Sequence, residues 1–102
     1  MQEGNYMKAV LIMHNVAIDE QVNEALASVG IDCYTKFTDT IGKGQLSEPH
    51  LNTDVWPGQN YGTFIVIDQH KARQIMESVR QMREKLGSEG IKAFMWEIED
   101  IT

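Results

Sequence analysis

The chain has 102 residues, of which 42% are hydrophobic and 24% charged, as in one ordinary globular domain. Nine Lys and Arg against fifteen Asp and Glu leave a net charge of −6. Because Lys and Arg contacts to phosphate supply most of the affinity for nucleic acids, this balance argues against DNA or RNA as a partner. The longest aliphatic run, residues 9–13, is far shorter than the roughly 20 residues of a membrane helix, which argues against membrane insertion.

The single cysteine, Cys33, cannot form a disulfide within the chain, which favours a reducing compartment. The N-terminus lacks the basic start and apolar core of an export signal. Together these features predict a soluble cytoplasmic protein. Within the domain, we expect Cys33 to be a small core residue rather than a nucleophile.

The first forty residues contain the pattern of a strand, a helix and a second strand. Residues 1–6 show no periodicity and form an N-terminal tail, whereas residues 7–13 are apolar on both alternating faces, which predicts a strand covered on two sides. Apolar residues recur at helical spacing over residues 18–29, and Gly30 ends this helix. Residues 31–40 alternate and predict a second strand with one drier face.

The second half of the chain repeats the order of strand, helix and strand. Residues 61–67 end in an apolar run that predicts a third strand. Asp68 is a suitable N-cap for a helix whose apolar stripe covers residues 72–86 and which Gly87 ends. Residues 91–98 carry apolar side chains on both alternating faces and predict a fourth strand.

The element order β-α-β-β-α-β is that of the ferredoxin-like α+β fold. It predicts a four-stranded antiparallel sheet with two helices on one face, formed by one domain over residues 7–102. A lone domain of this kind leaves its other sheet face in water, yet strands 1, 3 and 4 are apolar on both sides. We therefore expect the open face to lie against another subunit.

Twenty residues, 41–60, separate strands 2 and 3, whereas a hairpin needs two to five. Loops of this length inside a compact domain are usually functional. Glycines at its start allow a ligand to approach the backbone closely, and a lysine between them can meet an anion. These ligand candidates are Gly42, Lys43, Gly44 and Gln45. Trp56, beside a Pro-Gly turn, either anchors the loop or contacts a partner.

The same loop contains candidate metal ligands. His50 and Asp54, with Glu48 nearby, offer nitrogen and oxygen donors to a divalent cation. One histidine with scattered carboxylates is weak spacing for zinc, so a solvated loop remains the alternative. The chain lacks a nucleophile with a base at recognisable spacing, and we expect no enzymatic activity.

Three segments carry a resemblance to a known family. Residues 7–10 (MKAV), 23–31 (NEALASVGI) and 42–45 (GKGQ) resemble the P-II nitrogen-regulator superfamily. Residues 24–31 are similar to the helix end that this family writes as EAL-x-x-x-G-I/V. The resemblance covers most of residues 7–98.

The resemblance implies a non-catalytic signalling protein. In the family, a homotrimer binds ATP or ADP in the cleft between subunits, and a long loop docks on a membrane transporter, an enzyme or a regulator. By position, Gly42, Gly44 and Gln45 match the loop base that contacts nucleotide phosphates. Gly87, Gly90 and Lys92 match a Gly-rich, phosphate-facing corner before strand 4. The partner-contact positions in the loop would then be Glu48, His50, Asp54 and Trp56.

The sequence also departs from the family pattern. The corner before strand 4 is short, and Glu89 within it would oppose a phosphate. The long loop has no tyrosine to accept the uridylyl group of nitrogen signalling. These departures place the chain outside the nitrogen-signalling core. The alternative function is that of a metal-tolerance or metal-efflux trimer similar to the CutA proteins, with a divalent cation at His50 and Asp54.

Overall fold

The structure is a computed structural model that describes residues 7–40, 60–87 and 90–102. Its elements follow the predicted order, with a short 3-10 turn at Val16–Ile18 between the first strand and the first helix. The strands are β1 (Met7–Asn15), β2 (Thr35–Thr40), β3 (Asn60–Asp68) and β4 (Ile91–Glu97). The helices are α1 (Asp19–Val29) and α2 (Gln69–Leu86).

The four strands form one sheet in the order β2-β3-β1-β4, with every neighbouring pair antiparallel. The two outer strands are therefore β2 and β4, and both helices pack on the same face, as right-handed crossovers require. The predicted ferredoxin-like α+β fold is confirmed.

The hydrophobic core lies between the helices and the sheet face beneath them. Strand residues at alternate positions face α1 and α2, and the helices contribute residues at helical spacing. The buried members are Val10, Ile12, Val22, Leu26, Ile31, Ile65, Ala72, Ile75, Val79 and Ile91. Burial of a side chain of this size contributes about 1.5–3 kcal/mol, so this layer supplies most of the stability of the single chain.

The predicted helix ends are confirmed by their backbone geometry. The Asp68 carboxylate accepts a hydrogen bond from the backbone N–H of Lys71 at 3.0 Å and caps α2. Gly30 and Gly87 end the two helices at φ +87° and +99°, a conformation that glycine adopts without steric cost. None of the helices in the described ranges combines the length and apolar composition that crossing a bilayer requires.

The second strand is shorter than the sequence predicts. The N–H of Ile31 donates to the carbonyl of Leu26 at 2.9 Å. Although α1 ends at Val29, residue 31 thus still takes part in the hydrogen bonds that close the helix. Residues 31–34 then connect this end to β2, which begins at Thr35. Cys33 lies in the connection and is exposed, so the prediction that it is a core residue is wrong. Alternation alone did not distinguish a strand from this extended connection.

Candidate functional site

One end of the sheet brings together the two segments that the sequence singled out. The N–H of Asn15, the last residue of β1, donates to the carbonyl of Gly90 at 2.9 Å. Asn15 also pairs with Asn60, the first residue of β3. The hydroxyl of Thr40, which ends β2, donates to the carbonyl of Asn60 at 2.8 Å. Residues 41–59 and the corner before β4 therefore both join the sheet at this end.

Within one chain, however, the start of residues 41–59 and the corner before β4 join opposite edges of the sheet. Thr40 ends the outer strand β2, and Gly90 precedes the outer strand β4. Three inter-strand spacings of about 4.8 Å separate the two edges, which amounts to about 14 Å. One phosphate group cannot contact both edges in a single subunit.

Most of the predicted site residues lie outside the described ranges. This applies to the loop-base residues Gly42, Lys43, Gly44 and Gln45, and to the loop residues Glu48, His50, Asp54 and Trp56. Glu89 of the corner also lies outside them. Of the predicted ligand residues, Gly87, Gly90 and Lys92 are described.

The described corner residues leave backbone and charge accessible. Apart from its chain neighbours, none of the described residues comes within 4 Å of a Cβ atom built on Gly90, so they leave the space beside this backbone open. Lys92 is exposed and pairs with Met13, which places it on the sheet face opposite the helices. Its ammonium group lies 6.0 Å from the centre of the Phe94 ring on the same face. The corner thus presents one cation toward the face that carries no helix.

A second cluster at the same end of the sheet lies on the helix side. The Nε2 atom of His14 lies 2.9 Å from Oδ1 of Asp19, and the ammonium group of Lys36 lies 2.7 Å from the same oxygen. Lys36 also donates to Oδ1 of Asn23 at 2.8 Å, and the Asn23 amide donates to Oδ2 of Asp19 at 3.3 Å. We call these four residues, from β1, α1 and β2, the His14 network.

Burial shields the His14 ring from water, whereas the side chains of Asp19 and Lys36 stay partly exposed. Only 2% of His14 is exposed. Its ring meets the Tyr61 ring edge to face, with centroids 6.0 Å apart. The ammonium group of Lys36 lies 5.7 Å from the Tyr34 ring centre and 5.9 Å from that of Tyr61. In such surroundings, charges interact more strongly than they do in water.

The surroundings of His14 and Asp19 favour a neutral imidazole and an ionised carboxyl group. Burial lowers the pKa of His14 and outweighs the opposing effects of the hydrogen bond and charge of Asp19, while the charge of Lys36 lowers it further. Burial raises the pKa of Asp19, but the hydrogen bonds and charges of Lys36 and His14 outweigh it, and the pKa of this carboxyl lies below its usual value. A neutral imidazole therefore donates from Nε2 to a carboxylate.

The other ring nitrogen of His14 has no such partner. Nδ1 is buried and lacks a hydrogen-bond partner among the described residues, as does the hydroxyl of Thr63. With the hydrogen on Nε2, Nδ1 carries only a lone pair. Sequence reasoning missed this cluster. His14 shares one face of β1 with Val10 and Ile12, but both faces of the strand are apolar, so the sequence did not show which face meets the helices.

The sheet face opposite the helices carries large apolar side chains that the single chain leaves in water. Phe37 is 50% exposed, Phe94 47% and Trp96 45%. The ring centres of Phe64 and Trp96 lie 6.3 Å apart on this face. We call this surface the open sheet face, and its large apolar members are Leu11, Met13, Phe37, Phe64, Val66, Phe94 and Trp96. The predicted apolar character of both sides of β1, β3 and β4 is confirmed.

Within the described ranges, no three His, Cys, Asp or Glu side chains lie close enough together to hold a metal ion. The sequence-based metal candidates, His50 and Asp54, belong to the segment that is not described. The cation hypothesis therefore stays a prediction from the sequence.

No family model and no curated protein sequence matches the chain. Solved structures do match it. CPII from Thiomonas intermedia K12, a nitrogen regulatory PII-like protein in complex with ADP, AMP and bicarbonate, superposes with a TM-score of 0.69 at 16% sequence identity. The match covers 90% of this chain and 89% of CPII.

A second match is the ATP complex of GlnK from B. subtilis, with a TM-score of 0.62 at 21% identity. It covers 93% of this chain and 86% of GlnK. The apo form of CPII superposes as well as its nucleotide complex does, again with a TM-score of 0.69. The chain thus has the fold of the PII-like proteins.

Proposed function

We propose that this chain is a non-catalytic P-II-like signalling protein of the cytoplasm. It assembles as a homotrimer through the open sheet face, binds an adenine nucleotide between subunits, and contacts a protein partner through residues 41–59. The observation that carries the proposal is the open sheet face, which has three aromatic side chains about half exposed in a fold shared with PII-like proteins solved with bound ADP, AMP or ATP.

Burial of the open sheet face would supply the energy of assembly. Removing a large apolar side chain from water contributes roughly 1.5–3 kcal/mol, and each subunit offers Phe37, Phe94 and Trp96. Contiguous apolar surfaces of this kind mark interaction sites on soluble proteins. The helix side of the sheet needs no such partner, because α1 and α2 already cover it.

Assembly would also bring together the two predicted parts of the ligand site, which lie apart in a single chain. In one chain, residues 41–45 and the corner at Gly90 join opposite edges of the sheet, about 14 Å apart. A ring of three subunits whose open sheet faces turn toward a common axis would bring the β2 edge of one subunit beside the β4 edge of the next, and with it the loop base of one against the corner of the other. Backbone N–H groups at Gly42, Gly44 and Gly90 would then bind phosphate oxygens, and Lys43 and Lys92 would offset their charge.

Partner contact is assigned to residues 41–59 because this segment is long and joins the same end of the sheet as the ligand corner. Its candidate contact residues are Glu48, His50, Asp54 and Trp56. A ligand bound at the base of the segment would then influence the surface that a transporter, enzyme or regulator contacts.

Calorimetric titration with ATP and with ADP tests the ligand. We expect wild-type protein to bind one of them, and Lys92→Ala to weaken binding about ten- to a hundredfold, because a hydrogen bond to a charged group contributes roughly 1.5–3 kcal/mol. Lys85→Ala is the matched control, since Lys85 is an exposed lysine near the end of α2 on the helix side, and its loss should leave binding unchanged.

If Lys92→Ala and Lys85→Ala change nucleotide binding equally, Lys92 does not contact the nucleotide. Failure of wild-type protein to bind nucleotide at about millimolar concentration would overturn the nucleotide proposal. Titration with divalent cations under the same conditions then becomes decisive. Cation binding that His50→Ala abolishes would favour the metal-tolerance alternative.

A further inference from the structure

The His14 network joins three elements at the end of the sheet where residues 41–59 begin and end. His14 belongs to β1, Asp19 to α1 and Lys36 to β2, four residues before β2 ends at Thr40. The His14 ring also packs against Tyr61, the second residue of β3. Any rearrangement of His14 is therefore transmitted to both strands that flank this segment.

One oxygen atom holds the network together. Oδ1 of Asp19 lies 2.9 Å from Nε2 of His14 and 2.7 Å from the ammonium group of Lys36. While the imidazole is neutral, the carboxylate balances one cation, Lys36. A second proton on the imidazole would put two cations on one carboxylate oxygen in a site of which His14 exposes only 2%.

The new proton would also lack an acceptor. It adds to Nδ1, which has no hydrogen-bond partner among the described residues. A buried N–H without an acceptor is costly, and so is an uncompensated buried charge. Both costs are relieved if the ring turns toward water, which breaks the contact with Asp19 and the packing against Tyr61.

Among the described residues, no second anion acts on His14. β3 presents the Tyr61 ring and β4 presents Ile91, which lies opposite His14 in the sheet. From α2, the Arg83 guanidinium donates to the carbonyl of Ile91. The charges that act on His14 within the described ranges are thus the Asp19 carboxylate and the Lys36 ammonium group.

We propose that His14 is a proton-sensitive control on this end of the sheet. Protonation in mildly acidic solution opens the His14 network and loosens the adjoining parts of β2 and β3, from which residues 41–59 extend. That this changes partner contact rests on the proposed function. The structural switch itself needs neither nucleotide nor partner.

Amide hydrogen exchange tests the switch on wild-type protein without nucleotide, between about pH 7.5 and about pH 5 after correction for intrinsic exchange rates. We expect the amides of residues 36–40 and 60–63 to lose protection as the pH falls, while those of the core of α2 keep it. Imidazole NMR should find hydrogen on Nε2 of His14 at neutral pH, and its titration should follow the same curve as the loss of protection.

His14→Gln keeps an N–H donor that can reach Asp19 but cannot titrate in this range, so its protection should not depend on pH. The matched control is His70→Gln, which replaces an exposed histidine in the first turn of α2 and should respond as wild type does. Wild-type protection that stays constant while the His14 signal titrates would overturn the proposal. A loss of protection that persists in His14→Gln would overturn it as well.

Discussion

Nε2 of His14 and Oδ1 of Asp19 lie 2.9 Å apart at the junction of β1 with α1, and the same oxygen accepts a hydrogen bond from Lys36 of β2. This carboxylate links the end of β1, the first turn of α1 and the outer strand β2, which β3 separates from β1 in the sheet. Its partners are polar groups in an otherwise apolar layer, so their protonation affects the stability of the fold.

We predict that the free energy of unfolding decreases as the pH falls below 6.5, the ordinary pKa of histidine. The pKa of His14 is lowered in the folded protein, so the unfolded chain takes up a proton first. Stability is therefore present above pH 6.5 and is lost progressively down to the folded pKa. Urea unfolding at fixed protein concentration over a pH series measures it.

His14→Gln should remove this decrease, whereas His70→Gln should retain it. A separate, more acidic decrease should remain in both, because the pKa of Asp19 is also lowered on folding, from an ordinary 3.8. Stability due to Asp19 is present above that value and is lost as the pH falls through the folded pKa. A wild-type stability that is constant from neutral pH down to this acidic range would contradict the role given to His14.

Lys36→Met should destabilise the protein by about 1–3 kcal/mol, because it removes hydrogen bonds to Asp19 and Asn23 in a largely buried site. It should also raise the pKa of His14, since the positive charge of Lys36 lowers it. Urea unfolding measures the first effect and NMR titration the second. Lys71→Met is the control, because the Lys71 ammonium group makes a long, exposed contact of 3.4 Å to the carbonyl of Gly30, and the substitution keeps the backbone N–H that Asp68 caps. If the His14 titration in Lys36→Met is the same as in wild type, the charge of Lys36 does not act on His14.

Asp68→Ala should cost about 1 kcal/mol of stability, because it removes the side-chain acceptor that caps α2 at the N–H of Lys71. Asp68→Asn retains an acceptor of the same length and should cost much less. Thermal and urea unfolding compare the two. Equal losses in both variants would show that charge, rather than capping, explains the effect.

Local features of the fold were predictable from the sequence because local chemistry determines them. Asp68 caps α2, and Gly30 and Gly87 end the helices, as turn and cap preferences require. The apolar residues at successive positions of β1 likewise predicted that both faces of this strand are apolar. The extent of β2 was not predictable, because the hydrogen bond of Ile31 to Leu26 delays the strand.

The His14 network was not predictable in the same way. Lys36 lies seventeen residues from Asp19, and only the sheet register brings β2 beside α1. The sequence pattern places His14 on the same face of β1 as Val10 and Ile12 but does not identify its partner. Of the predicted ligand residues, the structure locates Gly90 and Lys92. Residues 42–45 lie outside the described ranges.

Sedimentation equilibrium at micromolar concentration tests whether the chain assembles through the open sheet face. Wild-type protein should have three times the 11.6 kDa mass of the chain. Trp96→Lys should shift the distribution toward the monomer, because it places a charge in the interface and removes an aromatic side chain whose burial contributes roughly 1.5–3 kcal/mol per subunit. Leu86→Lys, at a residue of similar exposure (44%) at the end of α2, should remain trimeric. A monomeric wild type, or a Trp96→Lys variant that stays fully trimeric, would show that the open sheet face is not the surface of assembly.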